Sequence, residues 1–541
     1  MARFRQLTSY RLDNVHFEKV ELGEEVKGKF TSILIGPDKK LYASTIQGQI
    51  KRFEILENGK LELLHTIKPF GDKDKVLIGM AFRPLNNQEL ELWVSYANYP
   101  ELRNAPTWDS KIARLTLDPV SPKVKENKVI VKHLPRSAKD HLTNGINFGP
   151  DGALYISQGS NSSMGKATQS PDWDYREESL LSAAVLRLDI NKLPSKLPVD
   201  VKTVDGDGTY NFASQNAPLS LYATGVRNAY DLVWHSNGNL YLPVNGSMKK
   251  QSTPTSDPKD PNYIAPIAPF KNDGRKDIPG LDLVGPAQND RLFRIEQGGY
   301  YGHPNPLRGE FILNEGDKDV DDPAYDNVKP DDNYRYPVYD FGKHASPNGI
   351  VEYQSSALNG RLQGMLVVAR FNVYYDLMFI KLDEQDPDKV LAAYDGSLIG
   401  MGGMDHPLDL TEDPHTGNIY VSEFGGEGKI SLYRPSLEQA PQLAQSQVQP
   451  EKKLPANSLK GMPNNESADL EVGEKVFNQY CVACHGGEGE GGNGPSFQDN
   501  VWIYGGNTYP YVFNLIKNGG KNGMQAWEDR LTPEEIRDVS V

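Results

Sequence analysis

The plainest chemistry in the sequence lies in five residues, Cys481-Val482-Ala483-Cys484-His485. Two thiols separated by two residues, with an imidazole alongside, read as the attachment site of a c-type haem: the thiols bond the vinyl groups and His485 ligates the iron. Cys481 and Cys484 are the only cysteines in 541 residues, so none remains for a disulfide or a thiolate zinc site. A CxxC beside a histidine also arises by chance, or as half of a redox or metal motif, and the residues downstream bear on the choice. They include Gly494-Pro495, then Asn522-Gly523-Met524-Gln525-Ala526-Trp527, then Leu531-Thr532-Pro533-Glu534-Glu535-Ile536.

With these segments in place, the chain from 466 to 541 resembles class I cytochrome c: an opening helix, CxxCH, a glycine-proline turn, a methionine loop and a closing helix. The resemblance implies His485 and Met524 as axial ligands. An imidazole and a soft thioether suit an electron-transfer iron at raised potential, with no position open to a substrate. In the opening helix Val472, Val476 and Phe477 fall about one turn apart. Thr532, Pro533 and Glu535 start the closing one with a capping box. So small a domain buries little apolar surface unaided, so its haem is expected to form part of the core.

The chain as a whole is too long for one ordinary core, so several domains or one large repetitive one are expected. A hydrophobic content of 38% with 24% charged residues indicates a soluble globular protein. A net charge of −14 disfavours nucleic acid or an anionic membrane surface as partner and favours a neutral substrate or a basic redox protein. No stretch approaches the roughly 18 apolar residues of a membrane span, and the first residues lack the apolar centre of a signal peptide. Attachment of haem at CxxCH implies, by resemblance to cytochromes c, assembly outside the cytoplasm. A periplasmic or secreted location, with an export signal removed, is therefore expected.

The elements that must position a substrate site come from a repeat. Ile33 to Ser44 (ILIGPDKKLYAS), Ile146 to Ser157 (INFGPDGALYIS), Leu232 to Val244 (LVWHSNGNLYLPV) and Leu408 to Ser422 (LDLTEDPHTGNIYVS) each read as strand, turn and strand. Their Asp-Gly, Asn-Gly and Thr-Gly tips tolerate the positive φ of tight turns. Weaker copies lie at Gly79-Met80-Ala81-Phe82 with Leu92-Trp93-Val94-Ser95, and at Gly349-Ile350-Val351 with Met365-Leu366-Val367-Val368. Several copies add a third strand, which makes six units. The pattern predicts an all-β six-bladed β-propeller over 1–435, with loops that build a site at the mouth of its channel. A β-sandwich or two all-β domains is the alternative. Without cysteines to staple the ring, residues 8–22 are expected to close it by adding a strand to the blade that ends near Arg434. Residues 436–465, polar and rich in Pro and Gln, read as a linker to a smaller all-α cytochrome c domain over 466–541.

Four further segments stand out, the first two ahead of the third and fourth units and the others later in the chain. They are Lys139-Asp140-His141-Leu142-Thr143-Asn144-Gly145, Tyr222-Ala223-Thr224-Gly225-Val226-Arg227-Asn228, Gly298-Gly299-Tyr300-Tyr301-Gly302-His303-Pro304-Asn305-Pro306 and Lys343-His344-Ala345-Ser346-Pro347-Asn348-Gly349. Together they resemble the glucose/sorbosone dehydrogenase family of soluble pyrroloquinoline quinone (PQQ) sugar dehydrogenases, over most of 30–434. The resemblance implies His141 as general base, Arg227 and Asn228 as PQQ contacts, and a calcium ion on the carbonyls of Gly246 and Ser247. It also implies a basic residue after the fifth unit's apolar strand, which Arg370 supplies within a residue or two. Where the family commonly carries arginine ahead of its last unit, this chain has Asp405-His406-Pro407, and His406 is the residue that could face the quinone there. The acidic run Gly316 to Asp322 reads as a solvated insert rather than a second calcium loop, and the inserts 158–182 and 248–289 carry Tyr and Trp that could stack on sugar rings or pack the loops. The expected activity is oxidation of a sugar or related polyol, with electrons passed through haem c to an external acceptor. A cofactor-free propeller that binds glycan or protein, with the cytochrome as relay, is the competing reading.

Overall fold

The computed structural model describes Leu12 and residues 15–73, 75–84, 90–98, 105–168, 173–267, 277–285, 287–320, 322–436, 463–485, 489, 497, 509–519, 524, 526–528 and 530–540, the side chains of 466, 483 and 484 excepted. The chain divides into two compact units, Met1–Ala440 and Pro441–Val541. Most of the expected linker lies outside the described residues.

The first unit is a six-bladed β-propeller. Its sheets start from the inner strands Phe30–Ile35, Val76–Phe82, Thr143–Phe148, Val233–Trp234, Pro347–Tyr353 and Pro407–Glu412. Each sheet is antiparallel and four-stranded, except that the second gains Val199–Asp200 in parallel register beside Val124–Leu134. The strands form where the apolar runs stand, and they turn where glycine or a tolerant polar residue permits: Gly152 and Gly238 sit at φ +74° and +83°. The ring closes through its own ends. His16–Val20 pairs antiparallel with Lys429–Ser436, His16 opposite Ser436 and Val20 opposite Leu432, so backbone hydrogen bonds take the part that a disulfide would otherwise play.

Apolar side chains fill the wedges between successive sheets. Trp93 meets Phe148 edge-on at 5.8 Å between the second and third blades, and Phe17 meets Tyr353 at 6.3 Å where the ring is sealed. At the centre the inner strands crowd together. A Cβ on Gly79 would lie 2.5 Å from the Asn144 carbonyl oxygen, and one on Gly349 would lie 2.7 Å from Cα of Asp409. The Tyr230 hydroxyl donates to the Thr31 carbonyl at 2.6 Å, tying the fourth blade's entry to the first inner strand.

Alternation of strand direction puts two sets of loops at the same end of the ring: those entering the inner strands at 143, 233, 347 and 407, and those joining second to third strands at 159–183, 245–289 and 371–375. His141, Arg227, His344 and His406 all stand on this end. Within the 245–289 and neighbouring loops, Ile278, Leu281 and Val284 pack with Met164, Phe311, Ile312 and Leu313 into a separate small core.

The second unit is helical, with α1 (Leu470–Val476), α2 (Val482–His485), α3 (Tyr509–Asn518) and α4 (Pro533–Val539). A π-helical turn, Phe477–Cys481, joins α1 to α2. Asp469 caps α1 through the amides of Glu471 and Val472, and Thr532 with Glu535 forms the expected capping box on α4. Val476, Phe513, Ile516, Trp527, Leu531 and Ile536 make the core. Helices α1 and α4 cross closely at Gly473, where a Cβ would lie 2.2 Å from the Asp538 carbonyl oxygen, and the Asp538 carboxylate accepts from the Asp469 amide at 3.0 Å. Gly473→Ala must push the helices apart. It is expected to cost the tail about 1–3 kcal/mol, as overpacking does, measurable as a lowered melting temperature of the helical unit with the propeller transition unmoved.

Candidate active site

His141 ends a tight turn in which the Ser137 amide donates to the His141 carbonyl at 2.8 Å and the His141 amide donates to Ser137 Oγ at 3.0 Å. Its imidazole is buried. Nδ1 lies 2.9 Å from Ser160 Oγ, and that hydroxyl donates its one hydrogen to the Ser162 carbonyl at 2.7 Å. Ser160 must therefore accept from His141, which places the proton on Nδ1 and leaves Nε2 with a free lone pair. Burial first, then the charges of Arg227 and His303, hold the imidazole pKa well below 6.5. At neutral pH His141 is an uncharged base.

Arg227 and Asn228 stand against it. The Ser160 amide donates to the Arg227 carbonyl at 2.8 Å, and Asn228 Oδ1 accepts from Asn144 Nδ2 at 2.9 Å. Gly159 permits this convergence: a Cβ there would lie 2.8 Å from His141 Cβ and 3.0 Å from Asn228 Oδ1. The Arg227 guanidinium spends Nε on the Ser163 carbonyl at 2.9 Å and Nη1 on the Gly246 and Asn245 carbonyls at 2.9 and 3.3 Å. Burial draws its pKa down to about 10, so it stays cationic. The Gly225 and Tyr301 segments run side by side: the Tyr301 amide donates to the Thr224 carbonyl at 2.9 Å and the His303 amide to the Gly225 carbonyl at 2.9 Å. Three of the four singled-out segments thus meet.

The Gly225–Arg227 and Tyr301–His303 segments line a small cavity of about 30 Å³ with Gly246, Ser247, Arg291 and Asn314, and His141 stands outside that lining. Ser163 Oγ, Asn245 Oδ1 and Ser247 Oγ are buried on this lining without a partner among the described residues. Each such atom costs about 1–3 kcal/mol unless something hydrogen-bonds it, so three together mark a place made for a polar ligand.

Residues 30–252 match the family described as glucose/sorbosone dehydrogenase, and residues 468–541 match that described as cytochrome c oxidase, cbb3-type, subunit III. The chain joins a glucose/sorbosone dehydrogenase domain to a cytochrome c domain. The tail is similar to FixP, a cbb3-type oxidase subunit of Bradyrhizobium diazoefficiens, at 38% identity over 87 residues, covering 16% of this chain and 30% of FixP. It is also similar to cytochrome c-L of Methylorubrum extorquens at 37% identity over 73 residues, covering 13% of this chain and 37% of that protein. The chain therefore spans well under two thirds of these relatives. In fold, the soluble aldose sugar dehydrogenase of Escherichia coli aligns at TM-score 0.50 and 13% identity, covering 78% of this chain and all of that one.

Several residues of the dehydrogenase domain that sequence reasoning passed over shape the cavity. Glu178, from the 158–182 insert, is fully buried and accepts from the amides of Asn161 and Ser162 at 3.1 and 2.9 Å, from the hydroxyls of Ser162 and Ser182, and from His303 Nε2 at 3.0 Å. Burial alone would raise its pKa, but His303 and the serine hydroxyls bring it down to about 2. Trp173 lies edge-on to His141 at 4.8 Å and 5.5 Å beneath the Arg227 guanidinium, roofing both. Asp290 accepts from the amides of Gly246 and Ser346, each at 2.7 Å, and burial lifts its pKa to about 6. His303 lies within Gly298 to Pro306, a segment whose resemblance implies no role for it. Glu178 had only its serine-rich flanks, Ser160 to Ser163 and Ser179, as a signal.

Other expected site residues fall elsewhere. Arg370 is not gathered into the cavity: Nε and Nη2 donate to Asp376 at 2.8 and 2.6 Å, and Nη2 to Asp395 at 2.5 Å. His406 lies with Phe371 and Tyr375, its Nδ1 on Asp405 at 2.8 Å. The carbonyls expected to hold calcium already accept hydrogen bonds, Gly246 from Arg227 and Ser247 from the Gln288 amide at 2.8 Å. Each carbonyl keeps a second lone pair, so these hydrogen bonds neither build nor exclude a calcium site. Within the acidic run, Asp319 is committed to Arg291. Among the described residues no His, Cys, Asp and Glu group is arranged to hold a metal.

In the cytochrome domain His485 is buried, its ring stacked on Phe497 at 4.4 Å, and Phe497 keeps a 48% exposed ring. Met524 packs partly buried against the tail core. Cys481 is half-buried, and the Cys484 side chain lies outside the described residues. By residue type, a half-buried thiol, an imidazole stacked on an uncovered aromatic ring and a thioether packed on the tail core fit a covalently held, apolar haem.

Glu178 offers a direct check on the insert. Its carboxyl is acidified on folding, so its contribution to stability is present above the ordinary pKa of 4.5 and is lost as pH falls toward about 2. Glu178→Gln is expected to lower propeller stability by about 3 kcal/mol at pH 7, with the gap to wild type narrowing between pH 5 and pH 3 in denaturant titrations.

Proposed function

We propose that the propeller oxidises a hydroxyl of a sugar or related polyol using PQQ bound in the Arg227 cavity, and that the electrons leave through haem c to an external acceptor. One observation carries this reading: a neutral imidazole, its tautomer set so that Nε2 is the free base, stands beside a partly buried cation that lines a cavity together with unpartnered polar atoms. PQQ, when bound, supplies a two-electron hydride acceptor, and haem c a one-electron outlet. The residues present fit a tricarboxylate quinone. Arg227 has Nη2 left over from its carbonyl bonds and would hold a carboxylate, and the hydroxyls of Ser163 and Ser247 can donate beside it.

His141 Nε2 takes the hydroxyl proton, and Ser160 keeps the imidazole aimed while it does so. Trp173 covers His141 and Arg227, and so keeps water off the base. Asn228, fixed by Asn144, completes the cofactor side. Calcium, when bound, would be held through the remaining lone pairs of the Gly246 and Ser247 carbonyls. The covalent tether keeps the haem at high effective concentration for the propeller. Assembly of haem at Cys481 and Cys484 agrees with a periplasmic or secreted protein.

The test is to add PQQ, with and without calcium, to the haem-loaded protein and follow the reduced-haem bands with a panel of aldoses and polyols. Sugar-dependent reduction is expected. Its absence for every substrate would leave a propeller that binds glycan or protein without oxidising it. His141→Ala is expected to slow reduction by at least 100-fold while quinone binding, read by fluorescence quenching, persists.

The pH profile adds an independent check. Because His141 must be neutral to act and its pKa is depressed, activity is expected to be flat through neutrality and to fall only below pH 6.5.

A further inference from the structure

Arg291 stands on the third strand of the fourth blade, Asp290–Ile295, opposite Val244 on one side and Asp340 on the other. Its side chain is buried and lines the same cavity as Arg227. Nη2 donates to both oxygens of Asp319, at 2.6 and 2.5 Å, and Nη1 reaches the Tyr334 hydroxyl at 3.5 Å. Nε is buried without a partner among the described residues. A guanidinium cannot shed its charge to escape that position.

The acidic run that supplies Asp319 is itself fixed. The Asn314 amide donates to the Gly302 carbonyl at 2.8 Å and the Asp317 amide to the Val328 carbonyl at 2.9 Å, while Val320 packs into the small core with Phe311, Ile312 and Leu313. A run that reads as a solvated insert in the sequence therefore places a carboxylate on an arginine of the cavity.

The lining thus offers donors without partners among the described residues, Arg227 Nη2, Arg291 Nε and the hydroxyls of Ser163 and Ser247, to set against the unpartnered acceptor Asn245 Oδ1. Water would need acceptors for its own two hydrogens. An ionised carboxylate has none to place and about four lone-pair sites to fill. A cavity of about 30 Å³ has room for roughly two water-sized groups, which suits the two oxygens of a carboxylate and excludes a fused ring system.

We propose that Arg291, positioned by Asp319, is the second cation of a seat for a single carboxylate. The cavity takes one acidic arm of its ligand, and the ligand's rings stay outside the lining, as His141 and Trp173 do. Two guanidinium groups offset the penalty of taking that anion out of water.

The proposal rests on the reading of PQQ as the bound quinone, and the experiment separates the two. Calorimetry on the full-length, haem-loaded protein measures affinity for PQQ and for its trimethyl ester, which keeps the rings and lacks the carboxylate charge. Arg291→Gln is expected to weaken PQQ binding at least roughly tenfold and ester binding by less than about twofold, and Arg291→Lys to recover part of the loss. Asp319→Asn, which keeps the guanidinium and removes its clamp, is expected to weaken PQQ selectively by a smaller factor. PQQ affinity unchanged in Arg291→Gln, or weakened equally for both ligands, overturns the seat. Should that variant fail to fold, the same two outcomes in Asp319→Asn overturn it. Absence of PQQ binding in wild type ends the quinone reading. If wild type fails to bind either ligand, acetate at matched ionic strength decides the seat alone. It is expected to raise the melting temperature of the wild-type propeller and not that of Arg291→Gln, and no rise in wild type, or an equal rise in both, overturns the seat.

Discussion

A carboxylate buried out of water must be surrounded by donors or lose its charge, and the cavity end of this propeller is organised around one that is surrounded. Glu178 collects two amides, two hydroxyls and an imidazole, enough charge-assisted hydrogen bonds to hold it ionised despite full burial. The consequences travel along the chain. By gripping Ser162 through both its amide and its hydroxyl, Glu178 fixes the Ser162 carbonyl, which takes the Ser160 proton, which obliges Ser160 to accept from His141. The tautomer of the base is therefore set by an acid that does not touch it. Through His303 the same carboxylate pins the Gly302 loop against the segment that carries Arg227, so one charge joins the insert to both motifs.

The local electrostatics run opposite to the global ones. The chain carries a net charge of −14, yet the group lining the cavity is a guanidinium, with its nearest imidazole kept neutral. Asp290 and Glu178 balance Arg227 from behind, each turned toward backbone amides. What remains facing the cavity is a cation and unpaired hydroxyls. That arrangement is complementary in charge and hydrogen bonding to an anionic or strongly polar group, whatever the sign of the outer surface.

How much of this was legible in the sequence follows from how local each feature is. The CxxCH spacing, the capping box at Thr532 and the glycine tips at Gly152 and Gly238 depend on a few neighbouring residues, and they appear where their spacing puts them. The six repeats were legible because each blade needs its own apolar alternation. Ring closure by His16–Val20 was legible because the chain offered no other staple. Arg370 was not. Its partner Asp376 lies directly across a hairpin, in register with it, and Asp395 comes from the next strand, so its commitment to structure rather than cofactor is a matter of register that no segment around it announces. The fates of the Gly246 and Ser247 carbonyls are hidden for a plainer reason, since backbone oxygens leave no trace in side-chain identity.

Non-glycine residues at positive φ are concentrated at the cavity end of the propeller, where a repetitive scaffold carries an unrepetitive site. At the end away from the cavity, three blades turn through glycine at positive φ, Gly152, Gly238 and Gly417, where the conformation carries no steric penalty, while Lys39, Leu358 and Asn359 take it in two others. At the cavity end the positive-φ positions include Ala183, His344, Ser346, Val373, Tyr375 and His406, residues for which that conformation is unfavourable. Such positions persist only where their surroundings leave them no alternative: Ala183 and Tyr375 adjoin strands paired on both sides, Val373 is at the middle of a five-residue loop between two such strands, and His344, Ser346 and His406 lie within three residues of an inner strand paired on one side. The sheets thus hold in place a set of strained loops that would relax if freed. The repeating hydrogen bonds supply the rigidity, and the departures from repetition supply the chemistry.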